Sequence, residues 1–506
     1  MRKPLLSLAA VVIVATACSS SAGSAPAASS GAVTPEHHRE TLAPAQPASS
    51  PYPGVTYQDP GVNPFVDPDE DQVSTFALDV DTASYTIAQR YIEDGNRPDP
   101  ASVRVEEWVN AFDQGYRVPE DDTFAISADG GPTPFTDPDE VLVRIGLQAR
   151  DVRERARQDA SLTFVVDTSG SMAREGRLEL VKDSLRILVD ELGQDDRVAV
   201  ITFGDDARVV LESTTARDRD RILDAINELQ PGGSTNLEAG LRLGYDQARR
   251  SLTEDGIDRV VLASDGVANV GLTDADAILR GIRDDAANGI ELASVGVGMG
   301  NYNDALLEQL ADQGDGFYAY VNTLDEARTL FRDRLTTTLQ SVALDAKAQV
   351  TFDPERVAAY RLVGYENRDV ADQDFTDPGV DAGAIGPGHA VTALYALRLR
   401  GDPRDGDRLA TVDLRWTDPD DGRVREATRD VVAADLSSTF GRTDPHFRFD
   451  AIVAETAEVL RQSDFARRLD LTDVRRVADD SADGLPGTDA VHAFLELLDS
   501  ASRLDG

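Results

Sequence analysis

One cysteine, three lysines and five histidines in 506 residues narrow the possible chemistry. A single cysteine, Cys18, rules out an internal disulfide and a thiolate cluster for metal. No histidine lies between His38 and His389, so the middle of the chain offers no imidazole base and disfavours a serine triad. Positive charge is also scarce. Fifty Lys and Arg stand against 91 Asp and Glu, a formal net charge of −41. Nucleic-acid binding needs a basic footprint, so it is excluded. The longest apolar run, residues 5–17, has thirteen residues, short of the roughly 20 that a spanning helix needs. Hydrophobic residues nevertheless make up 41% of the chain, enough for several cores.

That short run has its own meaning. Arg2 and Lys3 precede it, and it ends Val14-Ala-Thr-Ala-Cys18-Ser. A basic start, a short apolar core and small residues before a cysteine resemble a bacterial lipoprotein signal, so 1–18 reads as signal peptide with Cys18 as the lipidated residue. Two acyl chains at about 0.8 kcal/mol per buried CH₂ suffice for anchoring. The expectation is a protein on the extracytoplasmic face of the cell membrane, held by lipid alone and without access to nucleotide. Residues 19–54, rich in Ser, Ala, Pro and Gly, are expected to be a disordered tether. His37 and His38 within it read as chance composition.

Folded sequence is expected from residue 55. Residues 74–80 alternate as a strand, Asp81 or Thr82 is placed to cap a helix reaching 90–92, and a second helix spans about 103–112. We read 55–120 as a small helical module. Asp67-Pro-Asp-Glu-Asp71 begins like a calcium loop, but Gln72 replaces the required Gly and Leu78 the bidentate Glu, so it reads as a solvated loop. Asp79 and Asp81 are weighed as ligands and set aside in favour of helix capping.

Residues 160–337 alternate strand and helix. The apolar run 162–166 runs into Asp167-Thr-Ser169-Gly-Ser171, followed by a helix over 177–192. Strands at 197–203, 207–211, 259–263 and 290–297 alternate with helices at 219–229, 237–250, 274–287, 304–312 and 324–335. Such alternation predicts an α/β fold, a doubly wound and mostly parallel sheet. Ligands on such sheets bind at the carboxyl ends of the strands, where Asp167–Ser171, Gly232-Gly-Ser-Thr235 and Ser264-Asp265-Gly266 belong.

These three loops resemble the metal-ion-dependent adhesion site of von Willebrand factor A (VWA) domains, over about 160–337. The resemblance implies a metal site of Asp167, Ser169, Ser171, Thr235 and Asp265, holding Mg²⁺, with Mn²⁺ or Ca²⁺ as alternatives. It also implies an open coordination position for a carboxylate from an Asp or Glu of a partner, here an envelope or extracellular protein. Physical chemistry agrees, since Mg²⁺ wants an octahedron of oxygens and keeps several waters. A structural role in which metal only stabilises the fold remains open, and a metal-dependent hydrolase is the weaker alternative, for want of a base. Ala173 breaks a Gly-x-Ser-x-Gly elbow, and Asn301 breaks a dinucleotide reading of Gly296-Val-Gly298-Met-Gly300, which is read as a tight strand exit. The protein is thus expected to be non-catalytic.

The flanks add strands at 141–147, 341–352, 391–399, 409–416 and 423–432, with Asp421-Gly422 as a hairpin turn. We therefore expect a β-sandwich, 121–159 with 338–436, into which the VWA unit is inserted. Arg400-Gly-Asp402 is read as a chance tripeptide. Residues 437–506 are expected to form a small helical module. Asp79-Val-Asp-Thr-Ala-Ser-Tyr85, Arg104-Val-Glu-Glu-Trp-Val-Asn110 and the tail after 339 resemble YfbK-type bacterial VWA lipoproteins.

Overall fold

A computed structural model describes residues 57–505 apart from 58, 79–80, 153–157, 254–255, 267–277, 279, 281–288, 299–303, 315, 334–339, 369 and 378–381. Cys18, the tether with its histidines, Asp79, Asn301 and most of the expected helix 274–287 lie outside them. Among the described residues no helix is long and apolar enough to cross a membrane.

The central unit is a six-stranded sheet ordered β6-β5-β4-β7-β8-β9. Its strands are β4 Ala160–Asp167, β5 Arg197–Phe203, β6 Ala207–Thr215, β7 Ile257–Ser264, β8 Ile290–Val297 and β9 Tyr318–Val321. All neighbours run parallel except β5 and β6, which pair antiparallel at one edge. Strands β4 and β7 are buried at every position, as a strand covered on both faces must be. Helix Arg177–Glu191 packs on one face with Leu178, Val181, Leu185 and Leu188. Helix Leu237–Ala248 packs on the other with Leu241 and Tyr245. Gly244 lets it approach, because a Cβ there would sit 2.4 Å from the Val165 side chain. Strand β9 was not expected. Four residues are too few to show a period, and its edge position is set by pairing with β8.

Around this unit, two antiparallel sheets stack as a sandwich. One sheet contains β1 Val73–Ala77, β10 Ala343–Phe352, β12 Ala384–Ile385, β14 Arg408–Thr417 and β15 Val424–Val432. The other is ordered β11-β13-β3-β2, from Val357–Val363, Ala390–Leu399, Glu140–Ala149 and Phe124–Gly131. Strands from before and after the central unit therefore pair directly, β3 with β13 over nine positions. Phe76, Val143, Val350, Tyr395, Val412 and Trp416 fill the space between the sheets. Gly422, at φ +65°, turns β14 into β15 at the expected hairpin. Strand β1 answers to the strand expected at 74–80, but Val73–Ala77 hydrogen-bonds along β10 within the sandwich and not within a separate helical module.

The two terminal helical segments form one layer. Tyr85, Trp108 and Phe112 share a core with Phe449, Phe494 and Leu498 of helices Pro445–Leu460 and Asp489–Ser502. Leu142, Val363 and Leu394 carry that core onto the outer face of the second sheet. Arg144 of β3, 4% exposed, ties the layer down through Asp129 (2.7 Å) and Asp450 (2.9 Å).

Helix Ala83–Glu93 lies between this layer and the central unit, giving Tyr85, Ala88 and Ile92 to one core and Ala83, Ile87 and Tyr91 to the other. Its capping differs from expectation. Thr82 makes no side-chain cap, and Glu107 instead accepts from the Ser84 N–H at 2.8 Å. Asp81 turns to the β9 edge, where Oδ1 accepts from the Tyr318 N–H (3.1 Å) and Oδ2 from Arg368 (2.9 Å). Glu308, on helix Asp304–Asp312, pairs with Arg104 at 2.9 Å and Arg368 at 3.3 Å. Arg400 of the Arg-Gly-Asp tripeptide pairs with Asp69 at 2.9 Å, so an exposed ion pair accounts for both segments.

Glu308→Ala should be destabilising, because it takes a shared acceptor from two buried guanidiniums, although Arg104 keeps Glu107 and Arg368 keeps Asp81. A loss of about 1–3 kcal/mol of stability is expected, seen as a lowered melting temperature, whereas Asp69→Ala should cost no more than about 1 kcal/mol.

Candidate functional site

Asp167 ends β4 and Ser264 ends the neighbouring β7, in parallel register with Val166 opposite Ala263. The two strands therefore deliver Asp167 and Asp265 to the same edge, both at 0% exposure. Asp167 Oδ2 accepts from the Ser264 hydroxyl at 2.7 Å, and its Oδ1 from the Ser169 N–H at 2.8 Å. The Ser169 and Ser171 hydroxyls lie 2.9 Å apart. The loop carrying Thr235 is laced to this one by backbone bonds, Gly170 N–H to Gly233 O (3.0 Å) and Gly232 N–H to Thr168 O (2.6 Å). Thr235 itself is 2% exposed. Asn236 then caps the following helix by accepting from the Ala239 N–H. Asp205, after β5, holds the loop from outside through the Ser234 N–H (2.8 Å) and hydroxyl (2.6 Å).

Two buried carboxylates side by side are electrostatically costly. Burial, then the Asp265 charge, pushes the Asp167 carboxyl up to about 6 against the Ser169 and Ser264 hydrogen bonds. Burial raises Asp265 too, opposed by Ser171, Arg177 and Arg174. Arg177, the first residue of its helix and 3% exposed, donates to Asp265 Oδ2 at 2.9 Å. The other oxygen, Oδ1, is buried and accepts no hydrogen bond, although the Ser171 hydroxyl is close enough to draw the carboxyl's pKa down. Among the described residues no three His, Cys, Asp or Glu gather as a metal cluster. Any ion here must draw on hydroxyls, which suits a hard, oxygen-seeking cation.

Asp167, Ser169, Ser171 and Asp265 thus meet around one point, with the Thr235 loop fastened beside them. Three contributors escaped sequence reasoning. Ser264 is read in the sequence only as the start of the Ser264-Asp265-Gly266 loop, yet it binds Asp167 directly. Asp205 gave no signal. Arg177 did leave one, in the glycines after β8. Gly298 has φ +74°, and a Cβ there would lie 2.3 Å from Arg177 Nε. The tight strand exit makes room for the arginine.

Comparison with known proteins places these features in a family. The model for the von Willebrand factor type A domain matches residues 161–333. That for uncharacterized protein YfbK, C-terminal, matches 337–504, and one described as von Willebrand factor matches 53–144. The YfbK protein of Escherichia coli (strain K12) is 34% identical over 434 residues, 81% of this chain and 74% of that protein. An uncharacterized protein of Synechocystis sp. is 32% identical over 191 residues, 38% of this chain and 44% of its own. The solved structure of a von Willebrand factor type A protein from Catenulispora acidiphila is 17% identical and covers 76% of this chain and 91% of its own, with a TM-score of 0.46. With a third of its residues shared across most of both chains, the protein belongs to the YfbK family and carries a von Willebrand factor A domain at its centre.

Proposed function

We propose that the protein binds a protein partner through a divalent cation held by Asp167, Ser169, Ser171, Thr235 and Asp265, on a membrane-anchored body outside the cytoplasm. The observation that carries this reading is Asp265 Oδ1, a buried carboxylate oxygen without a donor among hydroxyls. A polar atom so placed costs free energy unless a cation takes it. Mg²⁺ fits the donor set best, Mn²⁺ or Ca²⁺ being the alternatives. The ion would supply an electron-poor centre with room for a carboxylate from an Asp or Glu of the partner. Asp167 and Asp265 would balance its charge, and the serine and threonine hydroxyls would orient it. We read the site as one of recognition, because the middle of the chain carries no histidine to serve as base. Lipidation at Cys18 and the tether would set the body off from the membrane without a spanning segment.

A second reading has its own observation. Arg177 already neutralises Asp265, so the pair can close the site as a structural element without metal. The two readings separate on the arginine. In the full chain, Mg²⁺ at 100 times its Kd should raise stability by about 2.7 kcal/mol, and Asp265→Ala should abolish that gain. Arg177→Gln should lower the melting temperature without metal, by about 3–5 kcal/mol of stability, and Mg²⁺ should restore most of it. If Mg²⁺ moves neither protein, the structural reading stands. Envelope-protein capture should require Mg²⁺ and Asp265, and be lost with chelator while the fold persists. Equal capture with chelator would refute metal-bridged recognition.

A further inference from the structure

Away from the central unit, helix Pro445–Leu460 and the outer face of the second sheet enclose a cavity of about 460 Å³. Phe65, Phe135 and Phe465 supply apolar walls, and Phe65 meets Phe465 edge-on at 5.7 Å. Its charged lining is unbalanced. Five carboxyl groups line it, and four guanidiniums. Three pairs are closed. Arg398 binds Glu140 at 2.7 Å, Arg468 binds Asp137 at 3.1 Å, and Arg467 pairs with Asp464. That leaves Arg361 to serve both Glu455 and Glu458, one turn apart on the helix.

Arg361 serves them poorly. Its guanidinium stacks over the Phe465 ring at 4.1 Å and reaches Glu458 Oε1 only at 3.6 Å. Arg461 also touches Glu458 Oε1, at 3.0 Å, but its hydrogen bonds go to Glu366, at 2.8 and 3.1 Å. Glu455 Oε1 and Glu458 Oε2 are buried without a hydrogen-bond donor, and the Glu458 side chain is 3% exposed. Two unsatisfied carboxyl oxygens on one wall and one carboxyl group more than the guanidiniums can pair point to a ligand that brings one positive charge and several N–H groups.

We propose that this cavity binds an organic monocation of the alkylammonium class. Its N–H groups go to Glu455 Oε1 and Glu458 Oε2, and its carbon chain lies against the phenylalanines. Metal ions are a poor fit, because the walls that complete the cavity are aromatic. Anions are disfavoured by the excess carboxylate, although Arg361 Nε and Nη1 also lack hydrogen bonds. A free amine and the side chain of a lysine present the same chemistry here. Burial and the neighbouring Glu458 push the Glu455 carboxyl up to about 8, against the pull of Arg361. An ammonium would therefore displace a proton from Glu455. Affinity should rise about tenfold from pH 7 to pH 9, while the ligand, with a pKa near that of lysine at about 10.4, stays charged.

Calorimetric titration of the full chain with n-butylammonium and with Nα-acetyl-lysine methylamide tests this at both pH values. Binding of either that strengthens about tenfold at pH 9, and falls at least as much in Glu455→Gln, supports the site. Preference for butylammonium assigns it to free amines, and preference for the lysine derivative to a peptide-borne side chain. Glu455→Gln is checked by its melting curve. If it does not fold, Ala454→Leu, which narrows the cavity and leaves every charge in place, must weaken the binding of both probes. No binding of either probe at pH 9, binding unchanged in the variants, or binding of acetate in place of the amines overturns the proposal.

Discussion

Five charges buried together hold the central unit against the rest of the molecule. Asp81, Arg104, Glu107, Glu308 and Arg368 are each no more than 8% exposed, and they come from both sides of the central unit as well as from within it. Glu308 belongs to a helix of the VWA domain, while Arg104 and Arg368 come from the segments before and after it. Removing five charges from water is costly, and each attraction must offset a desolvation penalty. The ion pairs therefore specify one docking geometry more than they add stability. Helix Ala83–Glu93 works with them, since its two apolar faces serve two cores at once. A domain inserted between two strands of a sandwich could swing on its linkers. Here its β9 edge is hydrogen-bonded to Asp81, which lies just beyond the first sandwich strand.

Buried charge is also what distinguishes the candidate site. Among the other described acids of the VWA domain most are exposed or ion-paired, and the buried Asp196 and Asp258 stand apart from other carboxylates, held by backbone N–H groups and a threonine hydroxyl. At the sheet edge, two carboxylates share a space to which the described residues bring hydroxyls, backbone N–H groups and Arg177, with Arg174 nearby. Burial first, and then the repulsion between the two carboxylates, pushes the Asp167 carboxyl up to about 6. Gly298 belongs to the same arrangement, because the absence of a side chain there gives Arg177 its path to Asp265.

Much of this was legible before folding. Continuous apolar runs such as 162–166 mark strands buried on both faces, and the intervening 3.6-residue periods mark helices, so the α/β alternation and its functional edge follow from order alone. The hairpin at Gly422 was equally plain. Strands β2, β9 and β11 were not, because they are short or mixed in pattern and are defined by neighbours far away in the chain. Strand β3 was recognised, but its double coverage was not. Arg144 sits in it as an apparent outward residue and is buried under the helical layer by Asp129 and Asp450.

Residue order and spacing dictate the central fold, the edge at which its polar loops meet, and the residue types that meet there. Those are local properties, set by period, length and the chemistry of each side chain. Only the folded chain decides that the two terminal segments form one layer, that Asp81 binds a strand edge in place of capping a helix, and that Arg177 neutralises Asp265. Each of these depends on which groups at long sequence separation are excluded from water together. Burial of that kind is a property of the assembled structure, and no local pattern encodes it.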